Sequence, residues 1–171
     1  MRMSNIFITS DTHFWHTNII KYCNRPFESV EEMNEKLIEN WNNVVNKYDT
    51  VYHLGDFCIG GRSQIYDLVH RLKGNIKLIK GNHDSHSNKF FRECGFKEVY
   101  DLPILLNNKY LLSHTPINVS DYIINLYGHV HTDSRYDIYT YNSACMCVER
   151  HDYKPVALEY LNSIYCGGCT T

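Results

Sequence analysis

Five short apolar runs in this chain each end on side chains that can bind a metal. NIFITS runs into Asp11-Thr12-His13, TVYHL into Gly55-Asp56, and IKLIK into Gly81-Asn82-His83-Asp84. KYLLS ends at Ser113-His114, and INLY leads into Gly128-His129-Val130-His131. Runs of this length and composition are strand-like. Side chains leaving neighbouring strand ends converge on one cleft in an open α/β sheet. That cleft would gather Asp11, His13, Asp56, Asn82, His114, His129 and His131. Nitrogen and oxygen donors of this kind suit hard or borderline divalent ions, and an aspartate can bridge two of them. One such dipeptide means little. Five in one chain restrict it to a sheet whose strand ends build a site.

The segments between the runs supply helices and a second, more β-rich half. Ser29 can cap a helix with Glu32 at its third position, a capping box. Val30, Met33, Leu37, Trp41, Val44 and Tyr48 then recur at helical spacing and form one apolar face. Ser63–Leu72 fits a second helix that ends at Gly74, and a short helix is expected near Asn88–Cys94. Lys97–Tyr100, Ile104–Leu106, Tyr110–Ser113 and Ile123–Tyr127 read as strands, with Asn107-Asn108 as a tight turn because Asn tolerates positive φ. Ile138–Tyr141, Ala144–Val148 and Val156–Tyr160 complete the expected strands. No repeat or linker divides residues 1–171, so one domain is expected.

Composition removes several function classes. The net charge of −2, with no long run of Lys or Arg, does not favour duplex nucleic acid, although a nucleotide or a single-stranded end remains open. The same lack of a basic stripe weighs against a nucleic-acid-binding module. The fourteen tyrosines are spread along the chain and read as packing, not as a base-stacking platform. No stretch approaches the ~18 apolar residues of a membrane span. No export signal is visible, so the seven cysteines are expected as reduced thiols and the location as cytoplasmic. Cys145 and Cys147 read as small apolar fillers, and Cys166 with Cys169 as an unliganded tail pair, in preference to a zinc knuckle.

The ordered set D-x-H, G-D, G-N-H-D, a lone His and G-H-x-H, complete from Asp11 to His131, resembles the calcineurin-like metallophosphoesterases. The opening SDTHFWHTNIIKYCNRPF is similar to small single-domain members from bacteria and bacteriophages. The resemblance implies an α/β fold, a four-layer αββα sandwich. It also implies a ligand division. Asp11, His13, Asp56 and His131 would hold one ion, and Asp56, Asn82, His114 and His129 the second, with Asp56 as the bridge. His83 would face the leaving-group oxygen, and Asp84 would orient it.

The chemistry fits those roles. Two cations about 3.5–4 Å apart can acidify a water and clamp phosphoryl oxygens. Rings of His-x-His on an extended segment leave on one face. An imidazole suits proton delivery to a leaving alkoxide. His16, three residues after His13, could line the cleft or lie behind it. Arg25 could reach a substrate phosphate or hold its own loop. Gly55, Gly81 and Gly128 each precede a ligand and read as scaffold. His53 reads as packed within its strand.

The expected function is metal-dependent hydrolysis of phosphodiesters, nucleotide or nucleic-acid-derived, with two Mn2+-like ions; Fe, Zn, Ni and Mg are the other candidates. The alternatives are a phosphomonoesterase acting on nucleotides or phosphoproteins, and a non-catalytic metal-binding scaffold. The intact His83-Asp84 pair argues against the scaffold. Oligomeric state is not legible.

Overall fold

The computed structural model describes residues 4–166. Cys169 lies outside the described residues, and with it the tail pair it would form with Cys166. Strand β1 (Ile6–Thr9) begins a sheet completed by β2 (Thr50–His53), β3 (Asn75–Ile79), β4 (Glu98–Tyr100) and β9 (Val156–Ala157). The sheet order is β4-β3-β2-β1-β9, with β9 antiparallel to β1 and every other pair parallel. The second sheet is β5 (Ile104–Leu106), β6 (Tyr110–Leu112), β7 (Ile124–Tyr127) and β8 (Ser143–Cys145), in that order. Only its β5–β6 hairpin is antiparallel. Asn107 and Asn108 turn that hairpin at φ 54° and 53°, and the Lys109 amide closes it on the Leu106 carbonyl at 3.1 Å.

Alternation along the strands builds two cores. From β1, Phe7 points to one core and Ile8 to the other; Val51 and Tyr52 of β2 do the same. The first core packs the sheet against α2 (Val30–Val44), α3 (Arg62–Arg71) and α4 (Asn88–Glu93), through Met33, Leu37, Trp41, Ile65, Leu68 and Phe91. The second lies between the sheets, where Ile8, Leu54 and Ile79 meet Leu112, Leu126 and Met146. The result is two parallel-rich sheets flanked by helices, the α/β arrangement the resemblance implies.

Four sequence expectations change. Tyr48 leaves the α2 face and is exposed, because the Asp49 carboxylate accepts from the Asn46 amide at 2.8 Å and turns the chain just after the helix. Ile138–Tyr141 keeps a single bridge, Tyr139 to Ala144. Ala144–Val148 is strand only to Cys145, then a 3-10 turn at Val148–Arg150. Val156–Tyr160 is strand for two residues and then α5 (Leu158–Cys166), whose Leu158 and Leu161 enter the inter-sheet core. One helix was not anticipated, α1 (Thr17–Tyr22), which has no side-chain cap. Among the described residues, no helix is long and apolar enough to cross a membrane.

Candidate metal centre

The five motif segments follow the C-terminal ends of β1, β2, β3, β6 and β7, so both sheets deliver side chains to one end of the molecule. Backbone bonds lock the loops together. The amides of Asp11 and His13 donate to the carbonyls of Gly55 and Asp56, each at 3.0 Å, and the Gly128 amide donates to the His114 carbonyl at 2.8 Å. Asp11, His13, Asp56, His129 and His131 have φ between 46° and 71°, the left-handed region. Each such residue is held against a cost of about 1–2 kcal/mol, a pattern that concentrates at functional sites.

Glycines let the loops close this far. A Cβ on Gly81 would sit 2.2 Å from the Asp56 Oδ1, and one on Gly128 2.2 Å from the Asp11 Oδ2. Bare backbone therefore touches two of the carboxylates that the sequence marks as ligands.

Asp56 stands at the centre. Its Oδ2 lies 3.5 Å from His13 Nε2 and 3.5 Å from His114 Nε2. His131 Nε2 lies 3.5 Å from Asp11 Oδ1. On the other side, His114 Nε2 is 2.9 Å from Asn82 Oδ1 and 3.2 Å from His129 Nδ1. Among the described residues, four compact donor groups stand here: Asp11, His13 and Asp56; Asp56, His114 and His129; Asp11, His131 and Cys147; and Cys23, His131 and Glu149. The first two share Asp56.

Three rings are held from behind by their other nitrogen, as metal-binding histidines are. His13 Nδ1 lies 3.1 Å from His16 Nδ1. His131 Nδ1 lies 2.9 Å from Glu149 Oε1, and His114 Nδ1 lies 2.8 Å from the Leu54 carbonyl. The three partners differ: an imidazole, a carboxylate and a backbone oxygen.

Electrostatics point to a cation. Asp11 is fully buried, and burial raises its pKa despite His131 nearby. Burial, with His131 and Arg25 close by, drives the His13 pKa far down, so the ring is neutral. With Nδ1 turned to His16, His13 faces the carboxylate oxygens with Nε2. Asp11 Oδ1 and His13 Nε2 are both buried, 3.8 Å apart, with no hydrogen-bond partner. A buried polar atom without a partner is unfavourable by several kcal/mol at most and on the order of 1–3 typically. A divalent ion between these donors would satisfy both, so the residues fit one.

Around this centre the expected residues fall unevenly. His83 is exposed, its ring 5.3 Å from that of His13, and its amide donates to Asp56 Oδ1 at 2.8 Å. Asp84 does something other than expected. Its oxygens accept from the amides of Asp56 (2.7 Å), Gly81 (2.9 Å) and Phe57 (3.1 Å), pinning two loops instead of orienting the His83 ring. Three backbone donors take up the buried carboxylate.

Arg25 also turns away from substrate. Its guanidinium donates to the carbonyls of Asp11 (2.7 Å) and Thr12 (2.8 Å), to the Met33 Sδ (3.3 Å) and twice to Glu149. All five N–H donors are used, and the side chain is buried, so none is left for a phosphate. His16 lies at the cleft edge, half-buried, behind His13.

Two residues escaped the sequence reading. Glu149 lies under His131 and Arg25; burial opposes its charge, but the His131 bond and the Arg25 charge hold its pKa down. Cys147 does more than fill space, since its thiol donates to Asp11 Oδ2 at 3.4 Å and accepts from the His131 amide at 3.2 Å. The five described cysteines outside α5 are free thiols.

The chain has relatives that span it. It is 40% identical over 173 residues to an uncharacterized protein of Methanocaldococcus jannaschii, covering 94% of this chain and 91% of that one. It is also 40% identical over 85 residues to the Gene 66 protein of Mycobacterium phage L5, covering 48% of this chain and 41% of the phage protein. Among solved structures, a protein of unknown function from Aquifex aeolicus superposes with a TM-score of 0.74 at 26% identity, over 95% of this chain and 100% of the other. The nuclease MPE of Pseudomonas putida shares the fold at a TM-score of 0.51 and 21% identity, over 74% of this chain and 61% of that one. Residues 4–156 match the family described as calcineurin-like phosphoesterase.

Proposed function

The chain belongs to the calcineurin-like phosphoesterase family, and on that premise we propose a phosphodiesterase with a dinuclear centre, acting on nucleotide or nucleic-acid-derived esters. The observation that carries this reading is the sharing of Asp56 between two donor groups, with its Oδ2 3.5 Å from a ring nitrogen of each. Asp11, His13, Asp56 and His131 would hold one ion. Asp56, Asn82, His114 and His129 would hold the other. The donor set, of imidazole, carboxylate and one amide oxygen, suits Mn2+-like ions. When bound, such a pair supplies Lewis acidity toward the phosphoryl oxygens and a water acidified for in-line attack.

The chain's own residues supply the rest. His83, exposed at the mouth, delivers a proton to the departing oxygen. Asp84 keeps the Asp56 and Gly81 loops in register, so the bridge and the acid sit on one rigid frame. A depression of about 350 Å3, lined by Lys80, Leu102, Pro103, Asn82, His114 and His129, adjoins the second donor group. It offers room for the second organic substituent that a diester has and a monoester lacks. This supports the diester reading over the monoester one.

The test is a substrate panel with Mn2+-loaded protein: aryl phosphate mono- and diesters, 2′,3′- and 3′,5′-cyclic nucleotides, and single-stranded oligonucleotides. Diester turnover should exceed monoester turnover. Faster cleavage of monoesters would reassign the protein as a phosphatase. No cleavage of any ester by protein carrying its full metal complement would favour the scaffold.

A further inference from the structure

Glu149 belongs to no motif of the resemblance, yet it contacts His131 directly and the Asp11–Thr12 loop through Arg25. It sits in the 3-10 turn after β8. One of its oxygens, Oε1, lies 2.9 Å from His131 Nδ1 and accepts from Arg25 Nε at 3.0 Å and Arg25 Nη2 at 2.7 Å. Arg25 passes the constraint on to the Asp11 and Thr12 carbonyls, on the loop after β1. His131 follows β7 of the other sheet. The Glu149 side chain is 2% exposed, and so is beyond the reach of substrate. Its other oxygen, Oε2, is buried without a hydrogen-bond partner.

We propose that Glu149 is a positioning residue that sets the ring orientation and tautomer of His131 and, through Arg25, fixes the Asp11–Thr12 backbone against it. One carboxylate thereby sets the separation of two ligand loops that come from different sheets. His131 turns Nδ1 to Glu149 and Nε2 to the centre, where Asp11 Oδ1 lies 3.5 Å away. His114 and His13 have no charged acceptor behind them, so this device acts on one donor group only. The inference rests on the dinuclear reading above.

Two variants separate charge from contact. Glu149→Gln can keep an acceptor oxygen at the Oε1 position and place its amide nitrogen where Oε2 now lies unpartnered. Glu149→Leu removes the acceptor. Metal-free protein is titrated with Mn2+, and free Mn2+ is read by electron paramagnetic resonance. Affinity of one of the two ions should fall about 10–100-fold in Glu149→Leu, less in Glu149→Gln, with the other ion changed by less than about threefold. Unchanged affinities in Glu149→Leu, with wild type binding two ions, would overturn the proposal and leave the dinuclear reading intact. Wild type binding fewer than two ions would overturn both. Should the variants fail to fold, the Zn2+-loaded wild type decides: the His131 Nδ1–H resonance should be strongly downfield and slow to exchange. Protonation at Nε2 instead would refute the assignment.

Discussion

The two donor groups that share Asp56 are enclosed very differently. Asp11 and His13 are at most 1% exposed and are backed by His16, Arg25 and Cys147, with Glu149 behind His131. On the other side His114 is buried, but Asn82 and His129 are exposed, and the one ring held from behind leans on a backbone carbonyl. The closed group is built where Ser10, just after β1, bridges to Cys147, just after β8, so loops from both sheets seal it. The open group is built at the ends of β3, β6 and β7 and borders the depression beside Lys80 and Leu102. The contrast teaches a division of labour. Buried donors held by partners behind them favour tight binding. Exposed donors leave room for a phosphate ester to approach.

The strongest blow to the contrast is at the shared residue. Asp56→Asn should remove metal from both groups and reduce turnover more than about 10³-fold, the equivalent of ~4 kcal/mol in the transition state. Elemental analysis beside kinetics would show it, and loss of one ion only would mean that Asp56 does not bridge. Next comes His83→Ala, expected to keep both ions and lose roughly 10²–10⁴ in turnover. The loss should shrink for nitrophenol leaving groups, which need little protonation. An equal defect for good and poor leaving groups would deny His83 the acid role.

The halves themselves are compared by Asp11→Asn and His129→Ala. The first removes a carboxylate whose charge is disfavoured by burial, so metal-free protein should melt at a higher temperature while losing its tighter ion. The second should weaken only the looser ion and leave the metal-free Tm where it was. If both variants shift Tm alike, enclosure is not what separates the groups.

A smaller effect tests what lies beneath the closed half. His53 is fully buried; Thr12 Oγ1 donates to the Phe57 carbonyl, so it accepts from His53 Nε2, and His53 Nδ1 accepts from the Gly55 amide. Burial lowers its pKa to about 3. The folded value lies below the unfolded value of about 6.5, so its contribution is present above pH 6.5 and is lost as pH falls from there toward 3. In metal-free protein, His53→Gln should flatten the acid-side decline by up to about 1.4 kcal/mol per pH unit. An unchanged slope would show that His53 titrates freely. The smallest change is expected for Cys166→Ser with Cys169→Ser: activity within about twofold, against a loss of bound zinc if the pair were a ligand set.

The legible part of the molecule was the part written locally. A strand that ends on a ligand dipeptide puts cause and consequence within six residues, and β1, β2, β3, β6 and β7 all read that way. The β8 region was harder. Apolar Ala144–Val148 looks like one strand, but the chain must turn at Val148 to set Glu149 beneath His131. The expected strand at Val156–Tyr160 lasts two residues and gives way to α5, because Leu158, Leu161, Ile164 and Tyr165 recur at helical spacing and pack between the sheets. Glu149 itself could not be found by spacing. Its partners are 18 and 124 positions away, and no pattern of short period links them. Arg25 and Asp84 stand in or near the motif segments in the sequence, but their contacts depend on which donors and acceptors the fold brings closest.

The bare backbone at Gly81 and Gly128 has a consequence for any survey of variants. An added methyl at either position would land 2.2 Å from a carboxylate oxygen of Asp56 or Asp11. Alanine at these two places should therefore inactivate the protein as thoroughly as loss of a ligand, although neither residue owns a functional atom. A deep mutational map would rank them among the most intolerant sites in the chain. Read without coordinates, it would mistake empty space for chemistry.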